Sequence, residues 1–341
     1  MSVRVALVGC GSWGQNLLRT LVQSPRADVV AVADTSPARL TRARLLASRA
    51  ALVPSLDGAL NAGAKAIVIA TPSSTHASLA VAALEAGADV FVEKPLALST
   101  QDADRCAAKA ALLGRVGMVG HLLRYHPAVV RMIAIACERR LGELRHFAAS
   151  RLRSSGDFAS SILWSLGPHD LSILRAIDPS PVASLGAQWL DDGGRVILDM
   201  QLESGMTARI ELSRLNSTKE RRLSVVGSSR SALFDDVRAP DRVVLTDSGS
   251  VDADAGVGRE AASVLEDIHV PWREPLALEI DHFLDCVERR AAPLTPFEEG
   301  AAVVRVLARV ESMSPRAARL TPGSGALEPA SDALLRGTLI G

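Results

Sequence analysis

One pattern near the start of the chain constrains the fold more than any other. An apolar stretch at residues 3–8 runs directly into Gly9-x-Gly11-x-x-Gly14, and a segment with helical apolar spacing follows. A strand, a glycine-rich turn and a helix in this order form a dinucleotide-binding βαβ unit. Gly9 permits the tight turn, Gly11 leaves room for a pyrophosphate against the backbone, and Gly14 lets the helix pack close to the sheet. The sequence therefore predicts that a dinucleotide binds at this turn.

An acidic residue, Asp34, follows the second apolar run and indicates which dinucleotide binds. A carboxylate at this place accepts the hydroxyls of an adenosine ribose and repels a 2′-phosphate, so we predict NAD. Thr35 and Arg39 lie just beyond it and can partly accommodate a 2′-phosphate, so NADP remains the alternative cofactor. Ser12 and Trp13 stand at the predicted helix N-terminus, whose free N–H groups favour phosphate, and are expected to contact the same cofactor.

Strand-like and helix-like segments alternate over the first 120 residues, which is typical of a buried parallel sheet with helices on both faces. We predict an α/β protein whose N-terminal domain, residues 1–122, is a Rossmann doubly wound parallel sheet. Its strands are predicted at 3–8, 28–33, 66–70, 89–92 and 115–119.

The pattern changes near residue 123, where closely spaced strands begin to predict a mostly antiparallel open sheet. We expect a C-terminal α/β domain over 123–330 and a tail over 331–341, with a polar loop at 246–265. The predicted strands are 144–153, 182–190, 194–202, 206–213, 221–227 and 231–235. The predicted helices are 127–140, 160–177, 276–290 and 296–312.

Composition argues against several other classes of protein. Lys+Arg and Asp+Glu both total 38, so no net charge attracts nucleic acid or an anionic membrane. The cysteines are scattered, without CxxC or a histidine at ligand spacing, so we expect neither a metal site nor disulfides. The chain opens with a strand and has no apolar run of membrane-spanning length, so we expect a soluble cytoplasmic protein.

Two polar turns follow later strands of the predicted parallel sheet, and ligands bind at the carboxyl ends of such strands. The first holds Thr71, Pro72 and His76, which we expect beside the dinucleotide; His76 is alternatively a structural residue at a helix start. The second begins with Glu93 and Lys94. Lys94 is expected near the nicotinamide, where a cation stabilises negative charge on a substrate oxygen, unless it is an ordinary surface lysine.

These motifs resemble the Gfo/Idh/MocA oxidoreductase family. The resemblance rests on the glycine-rich turn, on the Thr-Pro turn with His76, and above all on Glu93-Lys94-Pro95 after a buried strand. It implies a Rossmann domain, then a domain whose open sheet forms a homodimer or homotetramer. It also implies NAD(P)-dependent oxidation or reduction of sugars, sugar nucleotides or polyols, with Glu93 and Lys94 beside the cofactor. Later segments resemble the subgroup that includes UDP-N-acetylglucosamine 3-dehydrogenases.

His169 is the candidate general acid/base. It follows Gly-Pro and precedes the amphipathic segment 171–177, a junction where a histidine is more often structural, but its position matches the proton-transferring histidine of the family. Many members carry an aspartate four positions earlier, and this chain has Ser165 there. A serine cannot stabilise an imidazolium by charge, so the sequence departs from the family pattern at this point.

Five residues are predicted to meet the substrate. Arginines suit a phosphate and tryptophan suits a sugar ring, although solvated cations and a core tryptophan are the ordinary alternatives. The five are Arg124, Tyr125, Arg153, Trp164 and Ser165.

Two alternatives to a sugar dehydrogenase remain open because of Ser165. One is a catalytically altered relative that uses bound NAD(P) for chemistry without net redox change. The other is a non-catalytic NAD(P)-binding regulator, against which the presence of both Lys94 and His169 argues.

Overall fold

The computed structural model describes residues 2–153, 161–247 and 263–315. Its N-terminal sheet has six parallel strands in the order β3-β2-β1-β4-β5-β6. The strands are β1 Val3–Val8, β2 Ala27–Ala33, β3 Ala51–Val53, β4 Ala66–Ile69, β5 Asp89–Glu93 and β6 Gly117–Gly120.

The second sheet has eight strands in the order β14-β13-β12-β11-β7-β10-β9-β8, and only the β7–β10 pair is parallel in the described part of the chain. Its first strands are β7 Leu144–Leu152, β8 Val182–Leu190, β9 Arg195–Leu202 and β10 Thr207–Ser213. The others are β11 Glu220–Gly227, β12 Arg230–Asp235, β13 Ala239–Asp247 and β14 Val264–His269. The predicted fold class, a parallel Rossmann sheet followed by a mostly antiparallel sheet, is confirmed.

Helices cover the sheets and connect their strands. Those of the N-terminal region are α1 Ser12–Gln23, α2 Pro37–Leu46, α3 Leu56–Asn61, α4 His76–Glu85 and α5 Thr100–Leu112. Those that follow are α6 Pro127–Cys137, α7 Ile162–Ile177, α8 Pro275–Arg289 and α9 Phe297–Ser312. None of the helices in the described ranges is long and apolar enough to cross a bilayer.

Alternation along β1 explains how one sheet buries two faces. Val5 and Leu7 pack in a cluster with apolar residues of α1 and α8, while Ala6 and Val8 point to the opposite side, where α3 and α4 pack. Strand side chains alternate between faces, so a strand covered on both sides needs apolar residues at every position. This accounts for the continuous apolar runs that predicted the parallel sheet.

Three strands were missed by the sequence patterns. β3 is only three residues long, and β13 begins with the polar run Pro240-Asp241-Arg242, which hid its apolar second half. β14 begins inside the stretch assigned to a polar loop, and its pairing with β13 holds it in the sheet. The rest of that loop, residues 248–262, lies outside the described residues, as does the predicted tail. The helix predicted over 127–140 ends at Cys137.

The boundary between the two domains stays a prediction, and one helix bears on it. Although α8 comes late in the chain, it packs against the N-terminal sheet and α1. Phe283 of α8 lies edge-on to Phe91 of β5, with ring centroids 5.7 Å apart. Both rings are fully buried, so the last part of the chain helps to complete the core of the first domain.

Phe283→Ala is expected to lower the free energy of unfolding by about 3–5 kcal/mol, because it removes a buried ring and leaves a cavity against Phe91. The matched control is Leu45→Ala, whose side chain is exposed and whose loss should change stability by less than about 0.5 kcal/mol. Urea denaturation followed by circular dichroism measures both. Equal stability of the two variants would contradict the packing of α8 on the sheet.

Candidate active site

The glycine-rich turn lies between β1 and α1, and sterics explain two of its glycines. Gly9 has a φ of +94°, and a Cβ there would lie 2.6 Å from the carbonyl oxygen of Ala70. A Cβ on Gly14 would lie 2.1 Å from the Gly9 carbonyl oxygen, so only glycine lets α1 start this close to β1. Gly11 instead faces open space. Its missing side chain leaves room for a ligand rather than for a neighbouring element.

A cavity of about 1040 Å³ opens at the carboxyl ends of β1, β2 and β4. The N-terminus of α1 borders it, and no side chain caps that helix, so its first N–H groups are available to a phosphate. The lining includes nine of the residues predicted to bind the cofactor. They are Gly9, Gly11, Ser12, Trp13, Asp34, Thr35, Arg39, Thr71 and Pro72.

Asp34 sits at the ribose end of this cavity. Its carboxylate accepts hydrogen bonds from the backbone N–H groups of Cys10 and Ser36, both at 2.8 Å. Each carboxylate oxygen has a further lone pair, so the backbone fixes the side chain and leaves it able to accept ribose hydroxyls. The exposed guanidinium of Arg39 lies 3.6 Å from the same carboxylate. Together with the space above Gly11, this donor and acceptor set fits NAD.

His76 is buried at the start of α4 and does not line the cavity. Its Nδ1 lies 2.7 Å from the carbonyl oxygen of Pro95, and its Nε2 lies 2.9 Å from that of Thr71. The ring therefore ties the turn after β4 to the turn after β5. This is the structural alternative, and His76 affects the cofactor only through the two turns that it holds.

Glu93 lies at the end of β5, facing α1 rather than the open cavity. The indole Nε1 of Trp13 donates a hydrogen bond to its carboxylate, at 2.5 Å. Burial raises the pKa of Glu93 to about 7, against the opposing effects of Trp13 and Lys94. Glu93 thus fixes a side chain that lines the cavity.

Lys94 crosses from β5 to α7. Its Nζ donates a hydrogen bond to the backbone carbonyl oxygen of Ser165, at 2.9 Å. Pro168 lies inside α7 and has no N–H, which leaves the carbonyl of Trp164 without its helical donor and distorts the helix at this turn. Burial lowers the pKa of Lys94, and the nearby cations Arg151 and Arg153 lower it further, while Glu93 opposes them.

His169 lies one helical turn beyond Ser165 and is partly exposed, but its Nδ1 is buried. That nitrogen has no hydrogen-bond partner among the described residues. Burial, followed by the charges of Lys94 and Arg151, holds the pKa of His169 well below its ordinary value. The ring is therefore neutral at neutral pH and can accept a proton. Lys94 and His169, predicted from separate motifs, converge on one turn of α7.

Three of the predicted substrate contacts are engaged elsewhere. Arg124 is buried and pairs with Glu299 at 3.3 Å, while also donating to the carbonyl oxygen of Ser172. The hydroxyl of Tyr125 lies 3.2 Å from that of Thr295. Trp164 is buried in the apolar core of α7. All three side chains are buried, and these partners give each of them a structural role in the described part of the chain.

Arg153 and Ser165 stay near the candidate chemistry. Arg153 directly follows β7 and its charge acts on Lys94, so it remains a candidate to bind an anionic group of the substrate. Its neighbour Arg151 is neutralised by a bidentate ion pair with Asp170, at 2.9 and 2.6 Å. Asp170 directly follows His169 in the chain, but its carboxylate bonds to Arg151 rather than to His169.

His121 was not among the site residues predicted from the sequence. It follows β6 directly, as Lys94 follows β5, it is buried, and it contributes to the lowered pKa of His169. Its place after a short buried parallel strand was the available signal, because the carboxyl ends of neighbouring parallel strands meet at one edge.

Comparison with known proteins agrees with this geometry. Residues 3–121 match the model of an oxidoreductase family with an NAD-binding Rossmann fold, named Gfo/Idh/MocA. UDP-N-acetylglucosamine 3-dehydrogenase from Acidithiobacillus ferrooxidans is 31% identical over 258 residues, which cover 75% of this chain and 79% of the relative. The chain belongs to the Gfo/Idh/MocA oxidoreductase family. NAD is therefore its cofactor, and the cavity at the glycine-rich turn is our candidate for the place where it binds.

Two further relatives extend the comparison. The NAD(+)-dependent scyllo-inositol 2-dehydrogenase of Bacillus subtilis is 25% identical, over 86% of this chain and 88% of the relative. GenD2 from gentamicin A biosynthesis, solved in complex with NAD, has a TM-score of 0.75 and 22% identity, over 92% of this chain and 95% of that chain. GenD2 shares the fold, and the inositol enzyme aligns over most of the chain.

Cofactor preference follows from Asp34 and Arg39. Asp34→Ala is expected to lower the ratio of the NAD affinity to the NADP affinity by about 10- to 100-fold, because it removes the charge that repels a 2′-phosphate. The preference for NAD is then narrowed or inverted. Arg39→Ala is expected to weaken NADP more than NAD, because its exposed guanidinium is the cation beside that position. Calorimetric titration of both cofactors measures this, and equal affinities in the unmutated protein would refute it.

Proposed function

We propose that this protein is an NAD-dependent dehydrogenase that interconverts a secondary alcohol and a ketone on a sugar nucleotide or a related sugar. The convergence of Lys94 and His169 on one turn of α7 is the observation that carries the proposal. Glu93, the neighbour of Lys94, bonds to Trp13, which lines the candidate cofactor cavity. An ammonium donor and a neutral imidazole are what such a reaction needs next to the reacting hydroxyl.

NAD, when bound, supplies the acceptor for the hydride that leaves the substrate carbon. In our proposal the partly exposed side of His169 accepts the proton of the substrate hydroxyl, which its low pKa permits because the ring is neutral. Lys94 donates a hydrogen bond to the same oxygen and stabilises the negative charge that develops there. The carbonyl of Ser165 holds Lys94 in place for this role.

The relatives support a sugar or polyol substrate. Their names place the chemistry on UDP-N-acetylglucosamine in one case and on scyllo-inositol in another, and both substrates are oxidised at a ring carbon that bears a hydroxyl. The first of them is also the more similar in sequence. We therefore favour a sugar nucleotide over a free polyol.

A substrate screen tests the proposal. The purified protein is mixed with NAD and, in separate reactions, with UDP-N-acetylglucosamine, other UDP-sugars, free sugars and inositols, and NADH is followed by its near-ultraviolet absorbance. Reduction of NAD with a UDP-sugar supports the proposal. Tight NAD binding without NADH formation from any member of the panel would contradict it and favour a regulator or chemistry without net redox change.

Lys94→Ala and His169→Ala are each expected to lower kcat by about 10²- to 10⁴-fold, the usual contribution of a positioned acid, base or charge. The affinity for NAD should stay within several-fold of wild type, because neither side chain lines the NAD cavity. Lys109→Ala and His146→Ala are the controls, since both side chains lie on outer surfaces and bond to Glu85 and Thr207 respectively. Normal turnover in either site variant would remove that residue from the mechanism.

Ser165→Asp tests how the histidine is tuned. A carboxylate one turn before His169 stabilises the imidazolium and raises its pKa. A general base works only when unprotonated, so kcat/KM falls as the pH drops below its pKa. The acidic limb of the profile should therefore move to higher pH in the variant, with activity at the optimum kept or increased. An unmoved limb with full activity would show that Ser165 lies away from the proton transfer.

A further inference from the structure

His121 and His169 both have buried ring nitrogens without a hydrogen-bond partner among the described residues. His121 is only 1% exposed, and neither of its ring nitrogens has a hydrogen-bond partner in the described part of the chain. The buried Nδ1 of His169 is also without one. A buried polar atom left without a partner costs about 1–3 kcal/mol, so several such atoms in one place require a physical reason.

The register of the parallel sheet brings the two rings to the same place. Glu93 of β5 pairs with Gly120 of β6, so the next residues, Lys94 and His121, leave the sheet side by side at its carboxyl edge. Lys94 then reaches the carbonyl of Ser165, one turn before His169. The segment that begins with His121 also contacts α7, because Arg124 donates a hydrogen bond to the carbonyl oxygen of Ser172, three residues after His169. His121 is near enough to His169 to contribute to the lowered pKa of that ring.

Proton transfer requires a particular form of His169. For the outer nitrogen to accept a proton from a substrate, the ring proton must sit on Nδ1, and a buried Nδ1–H needs an acceptor. Ser165 occupies the position of the usual aspartate and makes no hydrogen bond to this ring among the described contacts. The nearby carboxylates are engaged as well, Asp170 by Arg151 and Asp236 by Arg221.

We propose that His121 is a positioning residue that accepts the Nδ1–H of His169 when NAD is bound, in the place of the missing aspartate. Its purpose rests on the proposed dehydrogenase function. The ring proton stays on Nδ1 of His169, no covalent bond forms, and the outer nitrogen is left free for the substrate proton. Hydrogen bonds of this kind are often long in a free enzyme and tighten when ligands bind.

The charges around His121 suit an acceptor. Burial lowers its pKa to about 3, with further contributions from Arg124 and Lys94, so the ring keeps a lone pair over the whole working range of pH. A carboxylate would stabilise the protonated form of His169 and raise the pKa of that ring. A neutral imidazole instead orients the His169 ring without raising its pKa. The pair therefore accounts for a histidine that stays neutral among the cations Lys94, Arg151 and Arg221.

Nuclear magnetic resonance of ¹⁵N-labelled histidine tests the inference without any substrate. The chain has seven histidines, few enough for assignment of His169 and His121 by substitution of each in turn. In the NAD-bound protein, Nδ1 of His169 should carry the proton in a single tautomer. His121→Phe keeps a ring but removes the acceptor, and it should shift His169 toward a mixture of tautomers.

His146→Phe is the control. His146 lies on β7, where its Nδ1 bonds to the hydroxyl of Thr207, and the charges that act on it, Asp199 and Arg209, are not among those that act on His169. It should leave the His169 signals unchanged. If His121→Phe also leaves them unchanged in a protein that still binds NAD, the inference is overturned.

Activity provides a second test, with UDP-N-acetylglucosamine as the probe. His121→Phe should lower kcat/KM at least about tenfold, as loss of a correctly oriented base implies. His121→Asn, whose amide oxygen is an acceptor, should retain more activity. Adding Ser165→Asp to His121→Phe should restore activity at least about tenfold and raise the acidic limb of the pH profile, because a carboxylate then holds Nδ1–H.

A merely structural role for His121 gives a different pattern. Loss of packing would lower the melting temperature and activity together, and Ser165→Asp would not restore either, which would overturn the inference. Failure of the proposed function is separate: no NADH would form in the unmutated protein, while the tautomer measurement would still decide whether the two rings pair.

Discussion

The hydrogen bond from Lys94 to the carbonyl of Ser165 joins the two halves of the candidate active site. Lys94 leaves the end of a buried strand of the parallel sheet, and Ser165 belongs to the first long helix after β7. Pro168 lies at the middle of that helix and leaves the carbonyl of Trp164, next to Ser165, without its helical donor. The bond brings Lys94 to the turn of α7 that ends in His169.

Among the described residues, few acidic side chains lie near Lys94 and His169. Arg151 is matched by Asp170 and Arg221 by Asp236, which leaves Lys94 and Arg153 as the cations that act most freely on the reacting oxygen. Such surroundings favour a developing alkoxide and disfavour an imidazolium. They suit a base that is neutral before it takes the proton, which is the role that our proposal gives to His169.

The features of the fold and of the candidate site that depend on residues close together in the chain were predictable from the sequence. Gly9, Gly11 and Asp34 act through backbone sterics and a fixed spacing, so their places at the NAD site follow from the pattern itself. The buried parallel strands were equally evident from their continuous apolar runs. β13 and β14 were not, because polar residues mark their ends and only pairing with neighbouring strands holds them.

The sequence did not predict which side chains pair when they lie far apart in the chain. The residues around Arg124 in the sequence do not indicate that it pairs with Glu299. Those around His76 do not indicate that its ring contacts the carbonyl of Pro95. These partners decide whether a polar residue serves the fold or the site. Lys94 was predicted from its place after a buried strand, and His169 was identified through the family resemblance. His121 became a candidate only when the register of β5 and β6 was known.

Isotope transfer tests the central claim most directly. UDP-N-acetylglucosamine deuterated at C3 is incubated with the protein and NAD, and the NADH formed is examined by mass spectrometry. Our account predicts that NADH carries the deuterium, because hydride passes directly from the sugar carbon to the nicotinamide beside Lys94 and His169. NADH that forms without deuterium, or deuterium that appears in water, would contradict it.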